Sequence, residues 1–203
     1  MQFAVSRFDV SGTPMAQVLK NRKVEDYSYF VEYQTQWSDN DQYGHLNNSV
    51  YNHLIDTIIN KYLIEHASLN VKGESSTIGL VVESHAAFFR SLSFPSRILL
   101  AMKVVSIGRS SVRYEVGVFG PFREEESSSS LATSSGTTSR ASQWKDHLST
   151  QQVAMVGGFT HVFVDERTRK PVKELPSSLR IGLNAIYEEN ESSQKDTVTQ
   201  SKL

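Results

Sequence analysis

One stretch of the chain, from Ser49 to about His66, predicts a long helix that is apolar over most of its surface. Apolar residues recur at intervals of four along two adjacent lines: Val50, Leu54, Ile58 and Tyr62, and Tyr51, Ile55, Ile59 and Leu63. A stripe this broad is wider than that of a helix lying on a protein surface. Isoleucine and valine are moderate helix formers, so burial must supply much of the stability. We therefore expect a sheet to wrap around this helix.

Strand patterns with a period of two flank the helix and supply that sheet. The predicted strands are 27–37 before the helix and 79–90, 97–107, 112–119 and 152–164 after it. The last four are expected to form a meander, with a bulge or bend at Gly157-Gly158. The sequence therefore predicts an α+β domain in which an antiparallel sheet of about five strands wraps around one long central helix. The open face of such a sheet needs cover, so we expect a homodimer or homotetramer.

Polar segments set the predicted boundaries of this domain. Residues 1–24 are expected to form a flexible N-terminal arm with at most one helical turn, and residues 186–203 form a polar C-terminal tail. The domain itself spans 25–185. Within it, residues 123–150 are rich in Ser, Thr and charge and lack a regular apolar pattern. Such a segment cannot bury enough surface to offset its ordering entropy, so we predict a disordered insertion there.

Composition excludes several classes of function. A net charge of −1 indicates no electrostatic attraction to nucleic acid or anionic lipid. The absence of cysteine excludes disulfides, thiolate metal ligands and a cysteine nucleophile. The six histidines lack metal-ligand spacing, and no apolar run reaches the ~20 residues that span a bilayer. We expect a cytoplasmic protein without a metal site, and a mitochondrial presequence is the alternative.

The polar stretch WSDNDQYGHLNN, residues 37–48, comes immediately before the helix. A helix N-terminus presents free backbone N–H groups and a partial positive charge, which suit a developing anion. Gly44 allows the backbone to approach a ligand closely, and His45 can donate a proton. Asn47 or Asn48 is predicted to cap the helix through its side chain. The stretch therefore predicts either a reactive site or a helix cap.

Each polar residue also has a purely structural interpretation. Asp41 can be a solvated loop carboxylate, Asp39 can bond the N–H groups of the loop, and His45 can be a capping residue. Glu83 and His85 share one face of a predicted strand. They either line a pocket near Asp41, to which Asp39 and Tyr43 are also assigned, or form a surface pair.

The pattern WxDxDxxxHxNNxxY, which begins at Trp37, resembles the motif of the hotdog-fold acyl thioesterases. The closest groups are the 4-hydroxybenzoyl-CoA thioesterase-like enzymes and the plant acyl-ACP thioesterases. The stretch FTHVFVDERTRKPV, residues 159–172, is similar to the end of that domain. The resemblance covers residues 27–122 and 151–185.

The resemblance implies hydrolysis of an acyl thioester without a metal or cofactor. It assigns Asp41 as the catalytic carboxylate, acting as nucleophile or as general base on water, and both routes stay open. The N–H groups at Gly44, His45 and their neighbours would polarise the thioester carbonyl. Asn47 and Asn48 belong to this oxyanion and substrate-binding set, since they fix the helix start that positions the donors. The acyl-ACP branch carries an asparagine where this chain has Tyr43, so acyl-CoA is expected as substrate rather than acyl-ACP. The chemistry agrees, since a thiolate is a good leaving group for one carboxylate and an oxyanion site.

Two other classes of function stay open. Hotdog enoyl hydratases and dehydratases resemble this chain in placing Asp and His near a helix start, but five residues apart with an intervening Asn-Pro. Here Asp41 and His45 are four apart and Asn-Asn follows, which argues against a lyase. A non-catalytic acyl-binding or scaffold protein is compatible with Tyr43 and with the insertion.

Overall fold

A single antiparallel sheet curls around one long helix in the computed structural model, which describes residues 12, 14–69, 77–122, 148 and 150–187. The elements in chain order are α1 (Met15–Lys20), β1 (Tyr29–Gln34), α2 (Asn48–His66), β2 (Thr77–Phe88), β3 (Arg97–Ile107), β4 (Ser111–Phe122), β5 (Met155–Asp165) and α3 (Ser177–Asn184). Short 3-10 helices at Val24–Asp26 and Trp37–Asp39 flank β1. The predicted α+β class, with five strands and one central helix, is confirmed.

The strand order in the sheet is β1-β3-β4-β5-β2. The predicted meander is therefore correct for β3, β4 and β5 but wrong for β2, which pairs with β5 instead of β3. Residues 89–96 carry the chain from the end of β2 back to β1, so that β3 pairs with β1. Strand β2 consequently forms one edge of the sheet. This long-range exchange of neighbours cannot be inferred from local alternation of residues.

Helix α2 buries the stripe that its sequence predicts. Its buried side chains are Tyr51, Leu54, Ile55, Ile58, Ile59, Tyr62 and Leu63, whereas Val50 is half-buried. The helix packs on β1, β3 and β5. Asn47 is the N-cap, since its Oδ1 accepts the backbone N–H of Ser49 at 2.9 Å. The cap and the wrapped sheet together fix the position of the helix N-terminus.

The described part of the predicted flexible arm lies against the outer face of the sheet. Val24 is fully buried there. The Arg22 guanidinium donates two hydrogen bonds to the Glu115 carboxylate, at 2.9 and 3.1 Å. Lys103 Nζ lies 3.6 Å from the same carboxylate. Arg22 and Val24, at the end of the arm, are therefore held on the sheet by an ion pair and by apolar contact. The flexibility of the residues before them stays a prediction.

Two other predicted segments lie almost entirely outside the described residues. Of the insertion at 123–150, the structure describes Leu148 and Thr150, and Leu148 is buried in the apolar cluster on the outer face of the sheet. Of the C-terminal tail at 186–203, it describes Ile186 and Tyr187. The disorder of the insertion and the character of the tail stay predictions.

Glycines 157 and 158 allow close contacts between backbones. A Cβ at Gly158 would lie 2.0 Å from the carbonyl oxygen of Tyr114, and a Cβ at Gly157 would lie 2.5 Å from that of His85. The register shift between β2 and β5 falls at Val82, on the partner strand. The bulge that was expected at the two glycines is therefore on β2. The glycines instead allow the backbones of neighbouring strands to approach closely.

A histidine is buried on the inner face of β5. His161 packs between the rings of Tyr114 and Phe163, with centroid distances of 5.3 and 6.0 Å. Its Nδ1 has no hydrogen-bond partner among the described residues. Burial lowers the pKa of His161 to about 4, although the charge of Asp56 raises it in part. The folded protein therefore holds this histidine neutral.

We expect the stability to fall on mild acidification because of this histidine. An unfolded His titrates near 6.5, so between about pH 6.5 and 4 the unfolded chain binds more protons than the folded one. The free energy of unfolding should fall by about 2 kcal/mol from pH 7 to pH 5. Urea unfolding at both pH values measures it. His161→Phe should remove this component, and an unchanged pH dependence in that variant would contradict the assignment.

Candidate active site

The loop before α2 is anchored by a buried carboxylate. Asp39 Oδ2 accepts the Tyr33 hydroxyl at 2.9 Å and the Gln36 backbone N–H at 2.7 Å. The Asp39 carbonyl oxygen accepts the Asn47 N–H at 2.8 Å. Asp39 therefore joins β1, the loop and the start of α2 and positions the residues between them.

Residues 40–46 form a tight turn that presents Asp41. The Asp41 and Gly44 N–H groups donate to the carbonyl oxygens of His45 and Asp41, at 2.8 and 3.1 Å. Gly44 has a φ of 77°, which a residue with a side chain adopts only with strain. Asp41 Oδ1 accepts the N–H groups of Tyr43 and His45, at 2.8 and 3.3 Å. Asp41 Oδ2 has no partner in the described part of the chain, so one oxygen is fixed and the other is available to a ligand.

The N–H groups expected at the oxyanion site are engaged within this turn. Gly44 bonds the Asp41 carbonyl, and His45 bonds the Asp41 carboxylate weakly. At the first turn of α2, Ser49 and Val50 donate to Asn47. The Asn48 N–H makes no hydrogen bond within the described residues. Asn48 is therefore the free donor that the helix N-terminus presents.

A cleft of about 360 Å³ opens beside this turn. One wall comes from the turn and the start of α2, and the other comes from the end of β2 and the residues after it. The lining residues are Asp41, His45, Leu46, Asn48, Tyr51, Phe88, Phe89, Arg90 and Ser91. The rings of two lining residues, Tyr51 and Phe88, contact each other edge to face, with centroids 5.2 Å apart. Asp41, His45 and Asn48 therefore bring a carboxylate, an imidazole and a backbone N–H of the helix start to one cleft.

Some of the predicted site residues line the cleft and others do not. Asp41, His45 and Asn48 line the cleft together. Gly44 and Asn47 do not line it; Gly44 allows the turn and Asn47 caps the helix. Tyr43 is 86% exposed at the tip of the turn, outside the cleft walls.

Glu83 and His85 lie elsewhere. Glu83 pairs with Thr160 and accepts its hydroxyl at 2.8 Å. Thr160 points away from α2, because its neighbours Phe159 and His161 point into the core. Glu83 and His85, which were expected to line the pocket, are therefore both on the outer face of the sheet.

Tyr51 and Arg90 line the cleft although sequence analysis did not assign them to the site. Tyr51 belongs to the buried stripe of α2, a pattern that by itself indicates a core residue. Burial raises its pKa to about 12, which the Arg90 guanidinium nearby partly offsets. For Arg90, the sequence feature that could have indicated the site is its spacing of two residues from Phe88. In an extended chain this spacing places both side chains on the same face.

No group of three His, Asp or Glu residues suited to a metal ion occurs in the part of the chain that the structure describes. Within the same residues, no helix is long and apolar enough to cross a membrane.

Known proteins share both the sequence pattern and the fold. The profile of the thioesterase-like superfamily matches residues 35–183. No curated protein matches the chain. Among solved structures, the PA5185 protein from Pseudomonas aeruginosa strain PAO1 is 35% identical, with a TM-score of 0.65, over 83% of this chain and 98% of its own.

More distant structures share the fold. A 1,4-dihydroxy-2-naphthoyl-CoA thioesterase from Synechocystis is 12% identical, with a TM-score of 0.57, over 77% of this chain and 95% of its own. A thioesterase from Thermus thermophilus, complexed with coenzyme A and zinc, is 18% identical, with a TM-score of 0.55, over 80% of this chain and 96% of its own. The expected hotdog fold is confirmed. Because the matching profile spans both the loop before α2 and all four later strands, this chain belongs to the thioesterase-like superfamily.

Proposed function

We propose that this protein hydrolyses acyl-CoA thioesters to a free acid and coenzyme A. The observation that carries the proposal is that Asp41 and Asn48 line the same cleft. One carboxylate oxygen of Asp41, Oδ2, and the backbone N–H of Asn48 have no hydrogen-bond partner among the described residues. Membership of the thioesterase-like superfamily supports it. Structural neighbours that act on a CoA thioester or were solved with coenzyme A support CoA as the thiol half.

Asp41 begins the reaction in either of two ways. Its free Oδ2 attacks the thioester carbonyl carbon, or it takes a proton from a water molecule that attacks instead. Both routes place negative charge on the carbonyl oxygen. The Asn48 N–H and the positive end of α2 stabilise that charge.

The second half of the reaction releases the thiol. The carbon–sulfur bond breaks, and the departing thiolate takes up a proton. His45 lines the same cleft as Asp41 and is the residue placed to donate it. If Asp41 is the nucleophile, water then hydrolyses the resulting anhydride and restores the carboxylate.

The test is the release of free thiol from a panel of acyl-CoAs of increasing chain length, with matched acyl-ACPs in parallel. We expect turnover of at least one acyl-CoA and weaker turnover of the acyl-ACPs. Absence of thiol release from every substrate would refute the enzyme and favour a non-catalytic acyl-binding protein.

We also propose that the protein is a homodimer formed through β2. This strand is an edge of the sheet, and such an edge presents unpaired backbone N–H and C=O groups. It also exposes large apolar side chains, namely Leu80, Val81, Val82 and Phe88. A second copy pairing antiparallel with β2 would satisfy the backbone and cover this surface.

A charge on β2 should therefore dissociate the dimer. Val82 is 60% exposed at the bulge, so Val82→Lys should leave the monomer fold intact while placing a cation in the interface. Light scattering after size exclusion should report a dimer for the wild type and a monomer for the variant. Ile64→Lys, on the exposed side of α2, is the matched control and should remain a dimer. A monomeric wild type would contradict the proposal.

A further inference from the structure

Arg90 brings a positive charge to the wall of the cleft. The proposed mechanism does not use this charge. Its side chain is half-buried, beside Tyr51 and in the same cleft as Asp41. Among the described residues that line the cleft, it alone carries a permanent positive charge. A cation in a ligand cleft either stabilises the structure of the wall or binds an anionic group of the ligand.

The hydrogen bonds of Arg90 separate these two roles. Its Nη2 donates to the carbonyl oxygens of Gly120 and of Gln152, the latter at 3.1 Å. A guanidinium has five N–H donors, and these two bonds use the donors of Nη2. Nε and Nη1 make no hydrogen bond within the part of the chain that the structure describes. Three donors are therefore left for a ligand.

Backbone hydrogen bonds also hold this wall, in addition to the two bonds of the Arg90 side chain. The backbone N–H groups of Phe89 and Arg90 both donate to the carbonyl oxygen of Ala154, at 2.8 and 3.1 Å. These bonds hold the segment against the start of β5. The guanidinium is thus carried on an anchored backbone, and three of its donors have no partner among the described residues. This arrangement suits recognition of a carboxylate or a phosphate.

We propose that Arg90 binds a negatively charged oxygen group of the ligand in this cleft. The identity of the ligand rests on the proposed function. Two parts of a CoA thioester reaction supply such a group: the carboxylate that hydrolysis releases, and the phosphates of coenzyme A. Arg90 is in either case a residue that binds substrate or product and sets which charged ligand the cleft retains.

Equilibrium binding to the full chain tests this without requiring turnover. Calorimetry measures the affinity for hexanoate, for coenzyme A and for pantetheine, which is the thiol arm without phosphates. Arg90→Gln removes the charge and keeps a polar side chain. We expect it to weaken either hexanoate or coenzyme A by about tenfold or more and to leave pantetheine unchanged. Arg90→Lys should restore part of the loss.

The pattern of losses identifies the source of the anion. Weaker hexanoate binding assigns the carboxylate, and weaker coenzyme A binding with unchanged pantetheine assigns the phosphates. Equal loss for all three probes would show a structural role and overturn the proposal, as would wild-type affinities in Arg90→Gln. Failure of the wild type to bind either charged probe would overturn it too. Arg113→Gln, exposed on β4, is the control and should bind like the wild type.

Failure of this proposal differs from failure of the hydrolase proposal. If the wild type releases thiol and the Arg90→Gln variant binds the probes as the wild type does, the anion site at Arg90 is refuted and the hydrolase proposal stands. If the wild type releases no thiol but binds an anion through Arg90, the hydrolase proposal is refuted and the anion site stands.

Discussion

Replacing Asp41 by asparagine should lower kcat by about a thousandfold while KM changes little. Asparagine has nearly the same shape, and its Oδ1 can still accept the N–H groups of Tyr43 and His45. The turn should therefore keep its conformation. The amide can neither attack a carbonyl nor take a proton from water, so the loss should fall on the chemical step. Thiol release under saturating and limiting acyl-CoA separates kcat from KM.

The matched control is a carboxylate outside the cleft. Glu166 is exposed in the turn after β5, and Glu166→Gln should retain wild-type kcat. Equal activity of Asp41→Asn and the wild type would remove Asp41 from the mechanism without removing hydrolysis. A large rise in KM with normal kcat would instead assign Asp41 to substrate binding.

Gly158→Ala should be the most damaging methyl addition in the sheet. The new Cβ would lie 2.0 Å from the Tyr114 carbonyl oxygen, a distance at which backbone must move. Neither atom is at the end of a flexible side chain, so β4 and β5 would have to separate. We expect a loss of at least about 3 kcal/mol in the free energy of unfolding, measured by urea denaturation.

Gly44→Ala provides the contrast because its constraint is conformational. No atom lies within 4 Å of a Cβ built there, but φ is 77°. The cost should be about 1–2 kcal/mol, the strain of a left-handed residue with a side chain. If both alanine variants lost the same stability, close backbone packing at Gly158 would not be the reason for its glycine.

The candidate site was predictable from sequence on one side of the cleft only. Asp41, His45 and Asn48 follow one another in a single loop and helix start, so their proximity is a local property. The opposite wall comes from the segment after β2, where Arg90 reaches the cleft. Glu83 and His85, on the same strand, face outward because of the register between β2 and β5. A strand pattern gives two faces but does not say which one meets the loop.

The fold divides in the same way. The sequence alone determined that α2 is buried, that strands surround it and that a carboxylate precedes its N-terminus, because these features are written in residue periods and in the order of neighbouring residues. Only the tertiary structure decided that β2 is an edge, that the Gly44 N–H is already bonded and that the Asn48 N–H makes no hydrogen bond within the described residues. Those properties depend on pairings and hydrogen bonds between particular atoms, which residue patterns along the chain do not specify.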